Sequence, residues 1–202
     1  MRLSRPFEVI TATVDGDVLM VLARAEGPFS GRQVQRLTRE RSVTGVHKSL
    51  KRLAEQGVVL RQRVGRTDLY RLNPDHVAAD AIKAIARLPE KVFDLMRREL
   101  SAWVCKPSCA AVFGSVARGE ERPDSDIDVL LVRPENADLE AWRLAVSGFM
   151  DTLSKATGND VRVLDLTADE LRRPENDALL AELRRDAVHL MGESVALTRR
   201  GA

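Results

Sequence analysis

The chain has 202 residues, 44% of them hydrophobic and 31% charged. Those proportions exclude a wholly disordered chain, which lacks the large apolar side chains that offset the entropy of ordering, and the length allows one large domain or two small ones. The 32 Lys+Arg and 30 Asp+Glu leave a formal charge of +2, which argues against a surface uniformly coated for nucleic acid or membrane.

That near-cancellation hides two opposite halves. Residues up to Asn73 carry 14 Lys+Arg against 7 Asp+Glu, about +7, and the remainder carries about −5. Cys105 and Cys109 alone make neither a disulfide framework nor a zinc site, and read as reduced thiols. Glu8 and Asp15 interrupt the first apolar run, and no stretch reaches the roughly 18 apolar residues of a membrane span. A cytoplasmic protein with no membrane partner is expected.

The first helix is expected over residues 17–26, from Val18, Leu19, Val21, Leu22 and Ala25 before the stop at Gly27-Pro28. Ser30-Gly-Arg-Gln33 reads as a capping box that opens a second helix, and a short turn follows near residues 39–41. A third helix is expected over 42–56, with Val43, Val46, Leu50 and Leu53 at helical spacing and Gly57 as its stop. Residues 58–63 and 67–72 read as two strands of an arginine-rich hairpin turning at Gly65.

Three helices and a hairpin at these lengths resemble a winged helix-turn-helix domain of the kind found in bacterial transcriptional regulators. The resemblance implies double-stranded DNA as a partner and the third helix as the recognition helix. Ser42, Thr44, Gly45 and His47, near the start of that helix, would approach base edges, while Lys48, Lys51 and Arg52 would hold phosphates; Arg63 and Arg66 would sit on the wing. Because such proteins usually read two half-sites, a homodimer is expected. Residues 75–103 fit two amphipathic helices split at Pro89.

Residues 110–132 read AAVFGSVARGEERPDSDIDVLLV. Residues 110–113 form a short buried strand, Gly114-Ser115 breaks it, residues 116–118 begin a helical turn, and a polar loop leads to a strand over 126–132. Alternation along that strand puts Asp126 and Asp128 on one face. Two carboxylates side by side repel and resist burial, and a divalent cation relieves both costs. Mg²⁺ (or Mn²⁺) bound through one or two carboxylates and phosphate oxygens suits a nucleoside triphosphate. Gly114 leaves room for phosphate to approach the backbone, Ser115 adds a hydroxyl and an N–H at the start of a helical turn, and Arg118 adds positive charge.

The run G-S-x-x-R-G-x5-S-D-I-D-V resembles the signature of the polymerase-β-like nucleotidyltransferases, especially the small "minimal" domains, some of which are antitoxins. It implies catalytic, metal-holding Asp126 and Asp128, and nucleotide-binding Gly114, Ser115, Arg118 and Ser125. The family's usual third carboxylate lies on the next strand, expected here over 161–166 after a helix over 135–157. The matching position holds Arg162; Asp160 and Asp165 are the alternatives nearby, and Arg162 beside the aspartates would pair with them or bind phosphate. A last amphipathic helix is expected over 174–191.

The expected class is therefore α+β: a winged helix-turn-helix over 7–73, a helical linker over 74–94 and a small nucleotidyltransferase domain over 95–192, its mixed sheet flanked by helices. Two functions follow. One is a DNA-binding protein whose Mg-dependent nucleotidyltransferase domain moves a nucleoside monophosphate from an NTP to a hydroxyl acceptor. The alternative is a transcriptional regulator whose nucleotidyltransferase-like domain is silent and senses nucleotide or holds a protein partner such as a toxin.

Overall fold

A computed structural model describes residues 1–25, 27–38 and 41–192. The chain divides into two compact units, one of Arg2 and Ser4–Pro89, the other of Met1, Leu3 and the chain from Glu90 onward.

In the first unit a 3-10 turn at Pro6–Val9 precedes helices α1 (Val14–Ala23), α2 (Gly31–Leu37) and α3 (Val43–Glu55). Strand β1 (Phe29–Ser30) lies between α1 and α2, strands β2 (Val59–Val64) and β3 (Thr67–Leu72) follow α3, and helix α4 (Ala79–Ala86) comes last. Ser30 caps α2 in a full capping box with Gln33, and Ser42 caps α3 by accepting the Gly45 N–H at 3.1 Å. Gly57 takes the left-handed φ of +75° that ends the α3 segment. The sheet order is β1-β3-β2, all antiparallel. Val18, Leu22, Val34, Val46, Leu50, Leu53, Val59, Tyr70 and Ile82 share one core.

Helix α1 starts and ends three residues earlier than expected; Glu26, and Arg39 and Glu40 of the expected turn, lie outside the described residues. Val43 leaves the apolar stripe and is 58% exposed, because at the first position of α3 it lies beyond the core that Val46, Leu50 and Leu53 reach. Strand β1 has only two residues, too few for a periodic signal. The expected linker over 74–94 is instead divided between the units: Ile82 and Ala86 of α4 pack in the first core, while Val92 lies in the second.

The second unit contains α5 (Leu88–Ser101) from Glu90 on, β4 (Cys109–Phe113), α6 (Gly114–Arg118), β5 (Ile127–Arg133), α7 (Leu139–Thr157) and β6 (Val161–Thr167). Helix α8 (Ala168–Leu171), a 3-10 turn at Pro174–Asn176, α9 (Asp177–Asp186) and β7 (Val188–Gly192) follow. The sheet order is β6-β5-β4-β7, with β5 and β6 parallel and the other pairs antiparallel. Strand β5 is buried on both faces, which explains its continuous apolar run. Ile127, Val129 and Leu131 pack with Met96 of α5 and with Trp142, Phe149 and Leu153 of α7, while Leu130 and Val132 pack with Leu171, Leu180 and Leu183 of α8 and α9.

Helix α7 begins four residues later than expected, where the Asp138 side chain accepts the Ala141 N–H. The expected helix over 174–191 stops at Asp186. Val188 and Leu190 alternate rather than follow a helical period, and β7 takes the edge of β4 that β5 leaves open, burying Leu190.

Candidate functional site

Strand β5 carries Asp128 between Phe113 of β4 and Arg162 of β6, its partners in register. Asp128 therefore lies on the face shared with Leu130 and Val132, toward α8 and α9. Asp126 stands just before the strand, and Arg162 Nη2 donates to its Oδ2 at 2.8 Å. Burial, then the charge of Asp126, push the Asp128 carboxyl above its ordinary range; Arg162 pulls it down and Glu182 pushes it further up. Gly114, at the start of α6, has φ +73°, and a Cβ there would lie 2.6 Å from Asp128 Oδ2. The residue read as making room for phosphate thus first makes room for a carboxylate.

Arg162 stands in register beside Asp128, where the third carboxylate was expected. Asp165 pairs in register with Leu131, on the α7 side, and accepts from Arg133 Nη1 at 3.0 Å. The Asp160 backbone carbonyl accepts the Ile127 N–H at 2.8 Å. Among the described residues no group of three or more His, Cys, Asp or Glu side chains could hold a metal ion. Asp126 and Asp128 remain as a two-carboxylate pair.

The other expected nucleotide contacts are partly engaged. Ser125 Oγ accepts the Arg122 N–H at 2.8 Å and closes the loop before Asp126, rather than standing free. Arg118 donates to Glu120 at 3.1 Å and to Glu182 of α9 at 2.5 Å. Ser115 is half-buried at the start of α6, beside the Gly114 turn.

Two contributors escaped the sequence reading. Asn159, buried just after the end of α7, donates from Nδ2 to the Ser125 carbonyl at 2.9 Å and so fixes the peptide that leads into Asp126. Glu182 lies on a helix whose leucines suggested core packing alone. A turn of Gly158-Asn159 and one glutamate among the charges of an amphipathic helix carry no spacing that announces either contact.

In the first unit Ser42, Thr44, His47, Lys48, Lys51, Arg52, Arg63 and Arg66 are all exposed. Arg52 forms an ion pair with Asp15 of α1, whose Oδ1 also accepts from Ser49 Oγ at 2.6 Å. Lys51 lies 3.8 Å from Glu55, and Arg63 lies 3.3 Å from Asp68. The hydrogen bond from Arg61, then that from Arg63 after the opposing effect of burial, lower the Asp68 carboxyl.

The carboxylate pair and its glycine-serine turn fall within a segment that a known family matches. Residues 91–189 match the nucleotidyltransferase domain family. A search of curated proteins finds no match to the chain. Among solved structures, a toxin–antitoxin with AMP-PNP is similar at 23% identity, covering 52% of this chain and 75% of that one, with a TM-score of 0.37. The toxin–antitoxin MntA-HepT is similar at 19% identity over 52% and 73%, TM-score 0.34. A tri-AMPylated Shewanella oneidensis HEPN toxin in complex with an MNT antitoxin is similar at 18% over 52% and 72%, TM-score 0.35.

The segment that the nucleotidyltransferase domain family matches thus has a mixed sheet with helices on both faces and a carboxylate pair at the start of β5. Its distinguishing feature is Arg162, a cation where its sequence resemblance calls for a third acid. None of the described helices is long and apolar enough to cross a membrane.

Proposed function

We propose that this protein is a DNA-binding regulator whose nucleotidyltransferase domain binds a nucleoside triphosphate with Mg²⁺ and holds it without transferring it. The observation that carries this reading is the Arg162–Asp126 contact of 2.8 Å, with Arg162 in register beside Asp128. Nucleotidyl transfer on two metals needs carboxylates for both ions and a base for the attacking hydroxyl. Here the third acid is replaced by a guanidinium, which takes no proton and binds no cation, but matches phosphate oxygens.

The residues fit one cation. Asp126 and Asp128 would hold Mg²⁺ or Mn²⁺, and the Asp128 carboxyl is raised by burial and then by repulsion from Asp126, both of which such an ion would relieve. Bound there, the ion would neutralise phosphate charge. Ser115 offers its hydroxyl beside the Gly114 turn, and Arg162 offers a side chain 71% exposed and so accessible to phosphate. The exposed helix face from Ser42 to Arg52, the arginines of the β2–β3 turn and the charge of about +7 support DNA binding by the first unit. The toxins present in the similar solved structures are the protein partners to test by co-expression.

Titration calorimetry with ATP, GTP, CTP and UTP is expected to give Mg²⁺-dependent binding that Asp128→Ala weakens at least about tenfold. Mobility shifts on a random-sequence duplex pool should show DNA binding at low salt whose affinity changes with nucleotide. No label should pass from α-labelled NTP to protein, RNA or DNA acceptors. Transfer that Asp126→Ala abolishes would establish the enzymatic reading instead, which the retained carboxylate pair favours.

A further inference from the structure

A second guanidinium expected to bind nucleotide, that of Arg118, is already taken. Arg118 follows the Gly114-Ser115 turn by three residues, close to where phosphates would lie. Its Nη1 donates to Glu182 Oε1 at 2.5 Å, and its Nε donates to Glu120 at 3.1 Å. Glu120 is a near neighbour in sequence, whereas Glu182 reaches Arg118 from α9, a helix anchored in the core by Leu180 and Leu183. The side chains of Arg118 and Glu182 are 32% and 30% exposed, so water and ligand reach the pair.

We infer that Glu182 is an internal competitor of the nucleotide: its carboxylate occupies the Arg118 guanidinium in the ligand-free protein, and a phosphate group must displace it to bind. This rests on the reading of the domain as a nucleotide binder, and adds the residue that sets its affinity. A carboxylate and a phosphate present similar acceptor geometry to a guanidinium, so the exchange replaces one charge-assisted bond by another. Glu182 also acts on Asp128, whose carboxyl is raised first by burial, then by Asp126, and least by the Glu182 charge. One side chain therefore opposes the nucleotide at Arg118, while its charge favours a cation near Asp128. The net effect on affinity is set by the first, because Glu182 touches Arg118 directly.

A double-mutant cycle tests this in the full-length protein, with MgATP and the other three triphosphates followed by calorimetry. Glu182→Gln keeps the shape of the side chain and removes its charge. It is expected to tighten binding by about fivefold, the upper range for a partly exposed ion pair. Arg118→Ala should weaken binding, and in that background Glu182→Gln should change affinity less than about twofold. Equal tightening in both backgrounds would overturn the inference, since it would reflect general repulsion rather than competition. Weakening by Glu182→Gln would also overturn it and mark Glu182 as a cation ligand. If the wild type binds and Glu182→Gln leaves affinity unchanged, the competition fails alone. If neither binds any triphosphate at millimolar concentration, the nucleotide reading fails and the competition with it.

Discussion

At Asp128 a carboxyl is held where burial and the charges of Asp126 and Glu182 all disfavour its ionisation, against only Arg162 in its favour. A carboxyl raised in the folded state keeps its proton to a higher pH than the unfolded chain does. The folded state therefore binds more protons between the ordinary value of 3.8 and the raised one, and stability falls as pH rises through that window. Asp128→Asn should accordingly melt at a higher temperature than the wild type at neutral pH, with the difference vanishing below about pH 3.8, as thermal melts across pH 3 to 7.5 would reveal. A lower melting temperature at neutral pH would mean that Arg162 outweighs the other three influences. The pair Asp126 and Asp128 was legible because alternate acids on an apolar strand violate the binary pattern. Arg162 was legible too, by its position on the following strand. Glu182 was not, because its significance arises from a contact across 64 residues with Arg118, and no local spacing encodes that.

The elements that position the pair meet at the end of α7. Asn159 ties the Ser125 carbonyl to this turn, and the Asp160 carbonyl accepts the Ile127 N–H, so the entry to β5 is held from both sides of Asp126. Removing the amide with Asn159→Ala takes the donor from the half-buried Ser125 carbonyl, at a cost of about 1 kcal/mol. Urea denaturation should show that loss, and MgATP affinity should fall beyond what a control of equal destabilisation, such as Leu153→Val, produces; equal affinities would make Asn159 a purely structural residue. Elements with strong periodicity were read correctly within a few residues, α3 from Val46, Leu50 and Leu53 and the hairpin from its turn at Gly65. The strand β7 was misread because a short alternating segment directly after the amphipathic α9 also extends a helical pattern when no partner strand is in view. Helix α4 was misread as linker because amphipathicity states that a face is buried, not against which core.

The whole molecule combines a basic unit with an acidic one, and the near-zero sum is the property least informative about either. Within the basic unit the ion pairs sort the cations: Arg52 is tied to Asp15 and supports packing of α1 on α3, whereas Lys48 is exposed on the same helix. Lys48→Ala should lower the slope of log affinity against log salt by about one if it contacts a phosphate, leaving the melting temperature unchanged. An unchanged slope would place Lys48 off the DNA. The arrangement of strand β4 has a further consequence for how the protein comes into being. β4 stands between β5 and β7, so the strand leading into the Gly114-Ser115 turn gains its second neighbour only when β7, the last strand among the described residues, has been made. During synthesis the first unit, whose core closes by α4, can fold while the other sheet still lacks an edge. If the first unit binds DNA as proposed, each new copy would then meet DNA before the proposed nucleotide site is complete.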